Sequence, residues 1–340
     1  MLWSAGRAAS RFPRARAALP RLAGAALALL GATAGARAAE RPLRIGVNGH
    51  DNWTTGAYLR HPAETTFPLL ARNGITTYRV DITADARGRE TLARLVALGR
   101  RHGIAIRPML YVDDVTSEDV YRLVKAFAAD IDLWELGNEL NLRGAETFAE
   151  SIRRMGVARR GVERAAAETG RPIRTAINVT AFAGASGKGL DVGKTTYPFL
   201  DRAVAAGLPF DVITYHYYPA ATDRATGWIR TYLEPLRRYG KPVRVTETNC
   251  GGIYRGDDGD SAACAATVTD FLEVVRSDYA DLISEVILYE LFDDAAREPG
   301  AEQRFGLLFD LDRPKRTFAV ARRFARPAPD PAAAPRAGTP

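Results

Sequence analysis

Histidine and cysteine are scarce in this 340-residue chain, with four of the first and two of the second. Hydrolases that work through a bound metal cluster histidines and carboxylates at strand ends. Here His50, His61, His102 and His216 are scattered, and no His-x-His pair follows the first apolar run. The reading therefore calls for no metal and no other cofactor. Cys250 and Cys264, 14 residues apart, either close one loop under oxidising conditions or stay as two separate buried thiols. The segment GVNGHDN (46–52) is not the Gly-rich phosphate loop that an open doubly wound sheet would place after its first strand.

Acidic residues are missing altogether from the first 39 positions, which hold six arginines. A basic region from Arg7 to Arg21, a short apolar run LAGAALALLGATAGA (22–36) and Ala36-Arg37-Ala38 have the layout of an export signal with a small-residue cleavage site. An uncleaved anchor or a disordered basic arm is the alternative. The run is too short and Gly-rich for a confident membrane span. Without the leader, the net charge of +7 falls to +1, because 41 basic residues then face 40 acidic ones. A chain so near neutrality offers no electrostatic case for nucleic acid as a partner. The expectation is an exported protein, periplasmic or extracellular, acting as a monomer and meeting a membrane only through an uncleaved leader.

What the chain does have is alternation. Eight apolar runs read as strands: 43–48, 75–82, 103–112, 131–138, 173–179, 210–218, 242–248 and 285–292. Eight amphipathic stretches read as helices: 63–73, 87–102, 117–129, 145–169, 195–206, 226–239, 261–279 and 314–324. Several of these end in glycine just before the next strand, as at Gly74, Gly103 and Gly240. Eight strand-helix units predict an α/β protein, a single-domain (β/α)8 barrel over 41–326. The Pro/Ala-rich tail at 327–340 has no apolar periodicity and is expected to be disordered.

In such a barrel the chemistry sits at the C-terminal ends of the strands. The fourth strand runs into WELGNELN and the seventh into VRVTETN. A period of two puts Leu133, Glu135, Gly137 and Glu139 on one face, and Val243, Val245 and Glu247 on one face of the other strand. Glu139 and Glu247 thus both end at the mouth. Two carboxylates in one pocket suit glycosidic cleavage, one protonating the leaving oxygen while the other stays ionised. A structural ion pair in the barrel core is the bland alternative. Glu135 should lie about 13 Å deeper than Glu139, at the usual rise, as a structural partner for a cation. Trp134 turns to the helix-packing face. Arg79, in phase with Thr77 and Asp81, should face inward beside Glu247 or pair with Asp81 alone. Trp53, in the loop after the first strand, offers an apolar face for a sugar ring or plugs the loop. Asp113-Asp114 and Asp293-Asp294 are expected to be solvated loop charges, with binding of sugar hydroxyls or a cationic sugar as the alternative.

WELGNELN and VRVTETN resemble the strand-four and strand-seven signatures of the clan A glycoside hydrolases, and the similarity extends to YHYYP (215–219) and the closing PKRTFAVARRF (314–324). It looks nearest to families 5 and 39, among them bacterial enzymes acting on exopolysaccharide. The resemblance implies a retaining mechanism on a polysaccharide or oligosaccharide, with Glu139 as acid/base and Glu247 as nucleophile. It also implies that Asn138 bonds the sugar 2-hydroxyl and that Arg79, His216 and Tyr218 attend the nucleophile. Where many clan members carry a tryptophan on strand eight, this chain has LYELFDD, so Tyr289 or Phe292 takes that place. A non-catalytic carbohydrate-binding barrel and a transglycosylase using the same site are the competing readings.

Overall fold

The computed structural model describes residues 43–53, 56–181, 194–294 and 300–325. The leader and the tail expected at 327–340 lie outside the described residues. Eight parallel strands close into a barrel in sequence order. They are β1 (Arg44–Gly49), β2 (Thr77–Ile82), β3 (Ala105–Leu110), β4 (Leu133–Leu136), β5 (Arg174–Thr180), β6 (Val212–His216), β7 (Val243–Thr248) and β8 (Ile283–Leu288). The expected (β/α)8 architecture is the observed one.

Helices α1 (Gly56–Arg60) and α2 (Ala63–Arg72) follow β1, α3 (Ala86–His102) follows β2, and α4 (Ser117–Ala126) follows β3. Helix α5 (Phe148–Thr169) follows β4, α6 (Thr196–Ala205) follows β5, and α7 (Asp223–Thr226) with α8 (Trp228–Leu233) follows β6. Helix α9 (Ala262–Asp278) follows β7 and α10 (Arg316–Ala325) follows β8. The helix expected over 226–239 is broken: past Leu233 the chain tightens into a 3-10 turn, Glu234–Tyr239, where Pro235 can donate no backbone N–H. A short antiparallel ribbon, β9 (Leu308–Asp310) with β10 (Arg313–Pro314), sits between β8 and α10. Helix α3 stops at Gly103, whose φ of 68° lies in the left-handed region that only glycine enters without steric cost.

Alternate residues of each strand face outward, and their apolar side chains, such as Ile45, Val47, Val80, Ile82, Leu136 and Ile213, join the helices in one continuous core. Trp134 belongs to this layer. The inward residues make a second, smaller filling. Near the N-terminal ends of the strands Glu285 accepts from Thr77 and Arg244 at 2.9 and 2.8 Å, with Arg44 and Arg107 each 3.5 Å away. Leu133, Ala176 and Val212 form a small apolar cluster of their own above this floor.

Strand β7 departs from the expected phase. Arg244, not Val243 or Val245, points into the barrel, since it reaches Glu285. The two valines belong to the outer core. Pairing shifts between Tyr215 and His216 on β6, and between Val245 and Thr248 against β8. Those irregularities reverse the alternation, so that Glu247 still turns inward.

Candidate active site

The mouth at the C-terminal ends of the strands is a cavity of about 310 Å³. It is lined by Asn48, His50, Arg79, Asp81, Asn138, Glu139, Tyr218, Glu247 and Tyr289, with Met109, Tyr111, Tyr254 and Glu302 among the others. How Glu139 gets there differs from the strand-phase expectation. Regular pairing stops at Leu136, and Gly137 then takes a φ of 79°. A Cβ at Gly137 would meet the Leu140 side chain at 2.6 Å, so a side chain is excluded on two counts. Glu139 itself has φ 48° and ψ 37°, the only non-glycine residue among the described ones with positive φ. The chain therefore curls over the mouth instead of extending above it. Glu135 shares a cation with the mouth residues Asn138 and Glu247.

That cation is Arg79. Its Nη2 donates to Glu135 Oε1 at 2.6 Å and to Asn138 Oδ1 at 3.0 Å. Its Nη1 donates to Glu247 Oε1 at 2.7 Å and to Asn48 Oδ1 at 2.8 Å. Burial pulls Arg79 toward neutrality, but the adjoining charges of Glu135 and Glu247 more than reverse this, and it stays charged. The pairing with Asp81 alone is not what forms. Asn138 has its carbonyl oxygen committed to Arg79, which leaves its NH2 group for a ligand.

Glu247 is held from its other oxygen too. The Tyr218 hydroxyl donates to Oε2 at 2.9 Å, and burial together with the Glu247 charge pushes Tyr218 well above the usual phenol range, so it remains a donor. His216 Nδ1 lies 2.8 Å from Glu139 Oε1 and 3.3 Å from Glu247 Oε2. One oxygen of Glu139 and one of Glu247 lie within 4.8 Å of each other. Burial draws Glu139 upward, while the His216 hydrogen bond, the charge His216 adds when protonated, the Thr180 hydroxyl and the Arg79 charge together outweigh it and hold the carboxyl below its ordinary value.

Several residues in or beneath the mouth were not among the expected ones. Asn48 and Asn178 sit on inward positions of β1 and β5, where the period of two could have found them. His50 spans Asp81 and Glu290, 3.1 Å from each. Burial pulls it down, but Glu290 and Asp81 raise it to about 10. Tyr254 and Glu302 arrive on short 3-10 turns, Gly251–Arg255 and Ala301–Arg304, too brief for apolar periodicity to mark. Trp53 stands beside the mouth, half exposed, its indole N–H donating to Asp81. It lines an adjoining cavity of about 570 Å³ that shares Tyr111 with the mouth. Tyr289 lines the mouth, whereas Phe292 is buried against Tyr58 and His61. The acidic pairs are not simply solvated. Asp113 is paired with Arg143 and Arg154, Asp293 accepts from buried Lys315 at 2.6 Å, and Asp294 is buried.

No family model matches the chain, and no curated protein matches it. Solved structures do. The GH53 catalytic domain of Ignisphaera aggregans superposes with a TM-score of 0.57 at 16% identity, over 84% of this chain and 96% of that one. A family 39 glycoside hydrolase from Bacteroides cellulosilyticus WH2 gives 0.59 at 19% identity, over 84% of this chain and 64% of its own. A GH128 endo-β-1,3-glucanase from Amycolatopsis mediterranei gives 0.52 at 18% identity, over 82% and 98%. At such identities the likeness establishes the barrel.

Proposed function

We propose, taking as premise the barrel this chain has in common with those glycoside hydrolases, that it is itself a retaining glycoside hydrolase acting on a polysaccharide or oligosaccharide. The observation that carries this is the placement of two glutamates, 108 positions apart, with carboxylate oxygens within 4.8 Å of each other in an open mouth. Retaining enzymes hold their carboxyls about 5 to 5.5 Å apart, whereas inverting ones leave about 6.5 to 9.5 Å for a water.

Glu247 takes the nucleophile's role. Arg79 and Tyr218 both donate to it and aim it, and its attack on the anomeric carbon, expelling the leaving oxygen, forms a covalent glycosyl-enzyme. Glu139 gives its proton to the departing oxygen, then takes one from the water that releases the sugar. A sugar that draws Glu139 away from His216 and expels water lets burial dominate, raising the carboxyl into the range a general acid needs. The free NH2 of Asn138 suits a sugar hydroxyl, and Trp53 with Tyr111 offers apolar faces for a further ring.

Charge narrows the substrate. Asp81, Glu139, Glu247 and Glu302 line the mouth with only His50 and Arg79 against them, and Glu135 and Glu290 stand behind. The excess of negative charge favours neutral or amino sugars over uronic acids. Action outside the cytoplasm is part of the same proposal, supported by the arginine-rich leader and by a disulfide between Cys250 and Cys264.

Incubation with a panel of 2-fluoro glycosides followed by peptide mass spectrometry tests the assignment. The expected adduct is on Glu247, and a trapped sugar on any other residue overturns it. Glu139→Gln should lower turnover of the panel's parent glycosides about 10²- to 10⁴-fold, the usual contribution of a positioned proton donor.

A further inference from the structure

Asn178, on β5, is fully buried and touches both the acid and the histidine beside it. Its Oδ1 accepts from the backbone N–H of Glu139 at 2.7 Å. A backbone nitrogen can only donate, so the amide's oxygen end must face Glu139 and its NH2 end must face the other way. That NH2 donates to Thr214 Oγ1 at 3.2 Å and lies 2.9 Å from His216 Nε2. Thr214 Oγ1 spends its own hydrogen on the Ile177 carbonyl at 3.3 Å, which confirms the direction of that bond. An amide NH2 has no lone pair to offer, so His216 Nε2 must be the acceptor and carry no proton. The imidazole's proton is then on Nδ1, pointing between Glu139 and Glu247.

We propose that Asn178 is a positioning residue that fixes His216 as its neutral Nδ1–H tautomer while anchoring the left-handed backbone at Glu139. One amide thereby sets both the direction of the acid and the histidine hydrogen bond that steadies its carboxylate between proton transfers. A second proton on His216 would put N–H against N–H at Asn178, so the histidine supports Glu139 as a neutral donor and adds no charge beside Glu247. The catalytic half of this inference rests on the glycosidase reading, and the tautomer half does not.

The test begins with the unmodified protein. With ¹⁵N-labelled histidine, only four imidazoles give signals, and His216→Gln identifies the fourth by subtraction. At neutral pH His216 is expected to be protonated at Nδ1 and bare at Nε2, and the opposite tautomer or an imidazolium overturns the proposal. Asn178→Asp keeps the acceptor for Glu139 and replaces the donor by a second acceptor. His216 should then gain an Nε2 proton, and an unchanged spectrum in a folded variant also overturns the proposal. On a glycoside substrate Asn178→Asp should lose about tenfold in kcat with KM within about twofold, and its alkaline pH limb should move. Thr214→Val, which removes only the amide's other partner, should leave that limb in place. Should the tautomer be as stated in a protein that cleaves no glycoside, the positioning stands and the functional reading falls.

Discussion

At the scale of single residues, the proposed role of Glu139 as the acid makes a prediction about pH, because its surroundings favour the carboxylate. The hydrogen bond from His216, the charge it adds when protonated, Thr180 and Arg79 together outweigh the upward pull of burial on Glu139 and hold its carboxyl below the ordinary glutamate range. A general acid must hold that proton, so kcat/KM, which reports the free enzyme, should fall as pH rises through this lowered value. The kcat profile, which reports the occupied site, should keep its alkaline limb at higher pH, because substrate displaces the groups that stabilise the carboxylate. Initial rates at saturating and limiting substrate across the acidic range check this, and coincident limbs would remove the idea that substrate lifts the acid. Much of this was readable from residue identities: Glu139, Glu247, Arg79, His216 and Tyr218 were singled out from the chain, and the mouth holds them together. In the sequence His50 is one of four scattered histidines, and nothing around it marks it out. Its significance comes from two carboxylates 31 and 240 positions away, which no local pattern reveals.

At the scale of elements, all eight strands and seven of the eight helices fall where apolar periodicity puts them, the stretch 226–239 being broken, because each strand needs an outward apolar face to seat its helix. The period of two failed at two strand ends. On β7 Arg244 faces inward where the count put Val243 and Val245, and a register irregularity brings Glu247 back to the inward face; past β4 the left-handed residues Gly137 and Glu139 fold the chain back over the mouth. Both failures lie at the site, where local geometry serves chemistry instead of regular pairing. The loop after β7 is tied down independently. Cys250, three residues past Glu247, is bonded to Cys264 in the first turn of α9, with Cα atoms 5.1 Å apart. The closed loop carries Tyr254 to the mouth. Closing a loop of this length stabilises by about 3 kcal/mol in the chain-entropy account. Replacing both cysteines by serine should cost about that much in denaturant unfolding, and a change under about 0.5 kcal/mol would show that the loop holds its shape without the bond.

At the scale of the whole molecule, buried charge sets a pH window for stability. Burial raises Glu285 and the arginines 107, 244 and 44 more than offset it, so its folded value lies below the unfolded one. A group depressed in this way stabilises above its unfolded value, and that contribution is lost as pH falls through the folded one. His50 works in the opposite sense. Raised to about 10 from an unfolded 6.5, it contributes fully below 6.5, and the contribution drains away as pH rises toward 10. Over that interval the folded state binds up to one proton more, so stability should decline by at most about 1.4 kcal/mol per pH unit. Urea titrations from pH 6 to 10 check the slope, and His50→Gln should flatten it.

The charged floor has a further consequence for anyone who would alter the protein. The carboxylate of Glu285, ringed by three guanidiniums from separate strands, shares no hydrogen bond with Arg79 or Glu247 at the opposite rim. Glu285→Gln should strip the ring of its counter-ion and weaken the fold by about 3 to 5 kcal/mol while survivors turn over at the native rate. Durability and turnover would then answer to separate dials at the two ends of one cylinder, and the lower can be redesigned without recalibrating the upper.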